Sequence, residues 1–182
     1  MKKARRQLSA SFFTVGEESM YIYNIKDSYI SYLREFDQLV LENKRESRPY
    51  VGIVFEINNM KYYVPFTSPK LKHTRMRNGK DFRKIANGVY GAINFNNMIP
   101  VPDNALVLKD IENEPNIQYK NLLINQFESI KEEENIIKST AERLHTLIFT
   151  PDDELTRNDR KIKARCCNLS LLERVYSEWI DA

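Results

Sequence analysis

The sequence predicts an α+β domain built on a mainly antiparallel sheet. Strand-like alternation fills the first half, helical periodicity fills the second, and breaks rich in Pro and Asn separate the segments. "MYIYNI", residues 20–25, alternates with aromatic and β-branched side chains and reads as a strand. From Ser28 the period changes: Tyr29, Tyr32, Leu33, Phe36, Leu39 and Val40 share one helix face, with Asp27 or Ser28 as cap. After the polar connection "NKRESRP", the stretch "YVGIVFEINNMKYYVPF" reads as two strands joined by a turn at Asn58-Asn59. Proline cannot donate to a ladder, so the second strand is expected to end at Pro65. Residues 67–84 lack apolar periodicity and read as a loop with room for one helical turn. "VYGAINFNNMIPVP" and "ALVLKDI" supply short strands, and 113–116, around Pro115, is a break. One long helical stripe then runs through Tyr119, Leu123, Phe127, Ile130, Ile137, Leu144 and Ile148. Thr150-Pro151-Asp152-Asp153 resembles a new helix start, with a Thr cap, Pro first and acids in the first turn. Ser170-x-x-Glu173 is a capping-box pattern for the last helix.

A length of 182 residues suits one domain, read here as 20–182, behind an N-terminal extension of residues 1–19. The extension starts basic, but Ser9, Ser11, Thr14 and Gly16 interrupt its apolar part and no small-residue cleavage site follows. It therefore reads as a flexible or loosely docked leader rather than a signal peptide. No apolar run approaches the ~20 residues that span a bilayer, and the mixed charges and 42% hydrophobic residues describe a globular chain. Cys166 and Cys167 are adjacent and form no disulfide framework, so a reducing cytoplasm is the expected setting. With only His73 and His145 as histidines and no C-x-x-C, no metal or other cofactor is expected.

Charge is concentrated in one place. Lys61, Lys70, Lys72, Arg75, Arg77, Lys80, Arg83 and Lys84 face a single acid, Asp81, a local +7 in a chain of formal net charge +3. Inside this run, Thr67-Ser68-Pro69-Lys70 follows a strand end, where a rigid scaffold can hold binding groups. Pro69 restricts its own backbone and that of Ser68, which keeps two hydroxyls and one ammonium close together. Such a cluster can hydrogen-bond a phosphate and neutralise charge growing on it. The cations beyond it suit a nucleic acid better than a small acidic metabolite. The plainer alternative is a solvated basic loop whose Thr and Ser only make a turn. A second basic run, Arg157, Arg160, Lys161, Lys163 and Arg165, is by itself a solvated loop, and becomes a second nucleic-acid surface if the first binds one. His145 reads as a packed helix residue, "KEEEN" as an exposed helix face, and the cysteines lack a basic partner for catalysis.

Taken in order, "MYIYNIKDSYISYLREFD", "YVGIVFEINNMKYYVPFTSPKLKH", "GAINFNNMIPV" and "CCNLSLLERVYSEW" resemble the ToxN/AbiQ family, the endoribonuclease toxins of type III toxin–antitoxin systems. The likeness runs from Met20 to about Trp179. It implies a strongly twisted antiparallel sheet flanked by helices, similar to the Kid/MazF toxins. It also implies metal-independent, sequence-specific RNA cleavage, processing of the toxin's own repetitive antitoxin RNA, and inhibition by the pseudoknot so released. Closed assemblies of toxin and RNA, often three of each, and protection against phage follow from the same resemblance.

Carried over by motif, the family's active-site block falls on Thr67, Ser68 and Lys70, its first-helix aromatic on Tyr29, and the His after the lysines on His73. The departures are the leader and the basic insert "TRMRNGKDFRK". In metal-free cleavage the 2′-OH attacks the adjacent phosphate, leaving a 2′,3′-cyclic phosphate and a 5′-OH. Lys70 is assigned to the phosphorane charge, Thr67 and Ser68 to a phosphate oxygen or the 2′-OH, and Tyr29 to the scissile phosphate or a base. Tyr29 reads equally as a core residue, and His73 equally as proton shuttle or phosphate contact. Two rival functions stand beside this: a non-catalytic RNA-binding module, and a Kid/MazF-type toxin with a protein antitoxin.

Overall fold

The computed structural model describes residues 20–43, 45 and 47–180; the expected leader, 1–19, lies outside them. Seven strands form one antiparallel sheet in the order β4-β5-β3-β2-β1-β7, with β6 also paired to β3. The strands are β1 (Tyr21–Ile25), β2 (Tyr50–Ile57), β3 (Met60–Thr67), β4 (Phe82–Lys84), β5 (Ala92–Asn94), β6 (Ile99–Pro100) and β7 (Leu106–Leu108). The helices are α1 (Asp27–Phe36), α2 (Leu71–Arg75), α3 (Ile117–Glu132), α4 (Glu134–Phe149), α5 (Arg157–Lys163) and α6 (Leu169–Tyr176). The α+β expectation is borne out.

The β2–β3 hairpin turns where the sequence places it. Asn58 and Asn59 have φ of 50° and 61°, the left-handed pair that a two-residue hairpin turn requires. On the facing strand, any Cβ at Gly52 would overlap the buried Tyr63 ring, so this position takes only glycine. The core between sheet and helices is rich in aromatic residues: Tyr50, Tyr62, Tyr63, Phe66 and Phe95 are all fully buried.

Several local expectations need correction. The third strand runs through Pro65 to Thr67. Phe66 N–H donates to the Pro49 carbonyl on the β2 side, so the Pro65 nitrogen faces the gap between β6 and β5, where no ladder bond is needed. Past that gap β3 pairs with β5, Phe66 opposite Ile93 and Thr67 opposite Ala92. The first helix stops at Phe36 instead of reaching Val40, because the Asp37 carboxylate accepts from the backbone N–H groups of Leu39 and Asn168. Its N-cap is Lys26, which makes no side-chain cap bond.

The loop expected at 67–84 contains the foreseen helical turn, α2, and also the unforeseen β4, zipped to β5. The long helical stripe is two helices, broken at Glu133 (φ −103°, ψ 12°), and that carboxylate holds Arg83 at 2.7 Å. The "KEEEN" segment is therefore a clamped junction. Thr150 closes α4, and α5 begins after Thr156, whose hydroxyl accepts from Asp159 N–H at 3.1 Å. The second basic run is thus mostly helix α5. Asn168 caps α6 in place of Ser170. Glu173 is turned inward, accepting from the Tyr62 hydroxyl and lying 2.8 Å from His145 Nε2. No helix among the described residues is long and apolar enough to cross a membrane.

Candidate active site

Where β3 runs out, Thr67-Ser68-Pro69-Lys70 leads directly into α2, and the turn opens onto a cleft of about 340 Å³. Thr67, Lys70, Lys72 and His73 line one side of it; Asn94, Asn96, Asp81 and Arg165 contribute from β5, the turn after it, β4's approach and the end of α5. Ser68 stands exposed beside Thr67, outside this lining. The sequence-predicted block is therefore brought together with Arg165 of the second basic run and with three residues that sequence reasoning missed, Asp81, Asn94 and Asn96. Asp81 had one visible signal: it is the lone acid in a strongly basic run.

Local geometry fixes His73. Its backbone N–H donates to the Lys70 carbonyl at 2.8 Å, and Lys70 N–H donates back to His73 Nδ1 at 3.3 Å. With Nδ1 accepting, the ring proton belongs on Nε2. The ring is buried, and burial, helped by Lys72 and Lys70, holds its pKa below the ordinary histidine value. Protonation would also take away the acceptor for Lys70 N–H. Stability follows the same sign: between the folded pKa and ~6.5 the unfolded chain binds more protons, so stability falls as pH drops through that window. His73→Gln, which keeps an acceptor but does not titrate, should flatten the stability change. A stability profile left unchanged by His73→Gln would contradict this placement.

Tyr29 is not in the cleft. It is fully buried, its hydroxyl donates to the Pro100 carbonyl at 2.7 Å, and its ring meets Trp179 edge-on at 5.0 Å. Burial pushes its phenol well above the ordinary value, so it stays protonated at neutral pH. The expected catalytic role is replaced by that of a core anchor. The cysteines are buried too, and burial pushes the Cys166 thiol up to about 12, which removes it as a thiolate nucleophile. His145 packs between Phe149 and Phe55 against Glu173, as expected for a packed helix residue.

The cations divide into two groups. Lys61 pairs with Asp103, Lys80 with Asp159 and Arg83 with Glu133. Lys70, Lys72, Arg75, Arg77 and Lys84 have no acidic partner among the described residues. In the second run Arg157 and Lys161 also lack one, Arg160 donates to the Asp152 carbonyl, and Lys163 pairs with Asp152. Arg165 makes a bidentate pair with buried Asp81, Nε–Oδ2 2.5 Å and Nη2–Oδ1 2.8 Å, while its own side chain remains 58% exposed. The Arg165–Asp81 and Lys80–Asp159 pairs join the two basic runs, far apart in sequence, into one surface. Among the described residues no group of three or more His, Cys, Asp or Glu side chains is placed to hold a metal ion.

Residues 21–177 match the family model described as toxin ToxN, type III toxin–antitoxin system. The endoribonuclease ToxN of Pectobacterium atrosepticum is 33% identical over 170 residues, covering 88% of this chain and 94% of that one. A solved structure from work on selective toxin inhibition by a non-coding RNA pseudoknot superposes with a TM-score of 0.77 at 29% identity, covering 88% of this chain and 97% of that one. A second, from a bacterial antiviral system regulated by a processed non-coding RNA, gives 0.73 at 30% identity over 88% and 99%. This chain belongs to the ToxN family of toxins of type III toxin–antitoxin systems.

Proposed function

We propose that this endoribonuclease toxin cuts RNA at the Thr67–Lys70 turn without a metal ion, by attack of the 2′-OH on the neighbouring phosphate. The observation that carries the assignment is the state of two groups at the cleft. Lys70 is an exposed ammonium with no acidic partner among the described residues. The Thr67 hydroxyl is buried with no hydrogen-bond partner among the described residues. An unpaired buried hydroxyl costs ~1–3 kcal/mol, so a small shift of the turn on RNA binding that brought it to a phosphate oxygen or 2′-OH would be favoured. A lysine left unpaired beside it supplies a compact charge for the phosphorane. Ser68 adds a second donor. With Nδ1 engaged, His73 Nε2 is the ring atom available to exchange a proton or contact phosphate.

The partner RNAs are the toxin's own antitoxin repeat, in its pseudoknotted form, and cellular or phage RNA met in the cytoplasm. Protection against phage by abortive infection is the role this activity supports, in keeping with the antiviral system of its structural relative. The assembly we infer is a closed ring of three toxins and three RNAs, read by the mass of the toxin–RNA complex in solution. The RNA surface makes a separable prediction. Arg75→Ala and Arg77→Ala should each lower the slope of log affinity against log salt by about one. Arg83→Ala should change it less, because Glu133 already neutralises that charge. Unchanged slopes in the Arg75 and Arg77 variants would return the run to a solvated loop.

A further inference from the structure

The turn assigned to catalysis rests on a bed of bare backbone. Behind Thr67 lies Gly91 (φ 108°), where any Cβ would overlap the Thr67 carbonyl oxygen and stand 3.1 Å from the Ser68 carbonyl carbon. Behind His73 lies Gly88 (φ 92°), where a Cβ would stand 2.7 Å from the His73 carbonyl carbon and 2.9 Å from Thr74 N. Both ends of the 67–74 segment therefore press directly on the 85–91 loop, with no side chain between. That loop is tightly wound. Ile85 N–H donates to the Gly91 carbonyl at 3.0 Å and Gly88 N–H to the Ile85 carbonyl at 2.9 Å, while Ala86 and Asn87 hold φ of 46° and 56°. Left-handed backbone at a non-glycine residue such as Ala86 persists only where its surroundings impose it.

One side chain pins this bed to the turn. Gln126, on α3, is 1% exposed, and its Nε2 donates both to the Tyr90 carbonyl at 2.6 Å and to the Thr67 carbonyl at 3.3 Å. Those carbonyls lie on either side of the contact made by Gly91. A single amide nitrogen with two protons can bridge two carbonyls at once, whereas a carboxylate or an alkyl chain of the same length cannot donate to either. Gln126 is a buried polar residue on the apolar face of a helix, next to Leu123 and Ile130. It touches no group that would react.

We propose that Gln126, with Gly88 and Gly91, is the positioning device of the RNA-cleaving turn. Gln126 locks the 85–91 loop against Thr67, and the two glycines let the loop approach closely enough to hold Thr67 and His73 at fixed spacing around Lys70. The proposal rests on the assignment of Thr67–Lys70 as the catalytic turn. Small displacements of such groups are costly: a shift of ~1 Å can lower a rate ~10²-fold.

The test is single-turnover cleavage of a labelled synthetic RNA that the wild-type protein cuts, with RNA affinity and thermal melting measured on the same samples. Gln126→Met keeps the side-chain length and loses both donors, and Gln126→Leu loses them with a shorter chain; Gly91→Ala disturbs the bed directly. Each is expected to slow the cleavage step at saturating enzyme by ~10–100-fold, with RNA affinity within about twofold, at a temperature where the variant is folded. A merely structural role would lower the melting temperature and leave the rate of the folded protein unchanged. Lys70→Ala is run alongside. If Lys70→Ala is inactive while a folded Gln126→Met or Gln126→Leu cuts within twofold of wild type, the positioning role is overturned. A loss confined to RNA affinity overturns it equally. If Lys70→Ala itself cuts at the wild-type rate, the catalytic turn is misassigned and the proposal falls with it.

Discussion

Lys70→Ala is expected to abolish growth inhibition when the protein is expressed without its antitoxin, and to slow RNA cleavage by ~10²–10³-fold. That loss corresponds to about 3–4 kcal/mol of transition-state stabilisation, the usual effect of removing one pre-organised donor from developing charge. The fold should be unaffected, because Lys70 is exposed, ends no strand and pairs with no acid among the described residues. RNA binding should weaken only modestly, since Lys72, Arg75, Arg77 and Lys84 keep their charge available. Lys70→Arg is the sharper variant. It retains the positive charge but replaces a compact ammonium with a planar fork, so it should bind RNA well and cut it poorly. Ser68→Ala should fall between the two in rate. The assay is cleavage at saturating enzyme together with RNA affinity, which separates a damaged chemical step from a damaged surface.

Tyr29→Ala is expected to have the largest effect on stability. The ring is fully buried against Tyr32 and Trp179, and its hydroxyl satisfies the buried Pro100 carbonyl. Truncation should cost ~3–5 kcal/mol through lost burial and the cavity left behind, which for a domain of this size lowers the melting temperature by about 10 °C or more. Tyr29→Phe isolates the hydroxyl. It leaves the packing intact and orphans the Pro100 carbonyl, so it should cost ~1–3 kcal/mol while the folded protein cuts RNA at the wild-type rate. A Tyr29→Phe protein that folds and binds RNA but does not cut it would restore the tyrosine to the active site.

Legibility from sequence followed the range of the interactions involved. The β2–β3 hairpin could be read because alternation and two asparagines tolerant of left-handed backbone sit next to each other. The passage of β3 through Pro65 could not, because it depends on a gap between β6 and β5 that only the assembled sheet creates. The α3–α4 break was hidden for a related reason: Ile130 and Ile137 lie a heptad apart, so the apolar stripe stays in phase across Glu133. The cap motifs at Thr150 and Ser170 matched by residue type and lost to Thr156 and Asn168. Glu173 in particular is drawn away by Tyr62 and His145, two partners distant in sequence.

The site divides along the same line. The Thr67–Lys70 turn and His73 are contiguous, and a motif exposes them. The wall formed by Asp81, Asn94, Asn96 and Arg165 is assembled by tertiary contacts such as the Arg165–Asp81 pair; Arg165 stands in one basic run and Asp81 is the lone acid of the other, but no local pattern places either against the turn. Tyr29 illustrates the opposite error. A tyrosine on an apolar helix face carries two readings in sequence, and only burial and the Pro100 bond separate them.

The most direct test of metal-free cleavage at this turn is the chemistry of the product ends. Wild-type and Lys70→Ala proteins would be incubated with a cut RNA in excess EDTA and the fragments read by mass spectrometry. If the turn cuts without metal, the wild type keeps nearly its full rate and leaves 2′,3′-cyclic phosphate and 5′-OH ends, while Lys70→Ala yields almost no fragments. Cleavage that returns only with added divalent metal, fragments ending in 3′-OH and 5′-phosphate, or undiminished cutting by Lys70→Ala would contradict it.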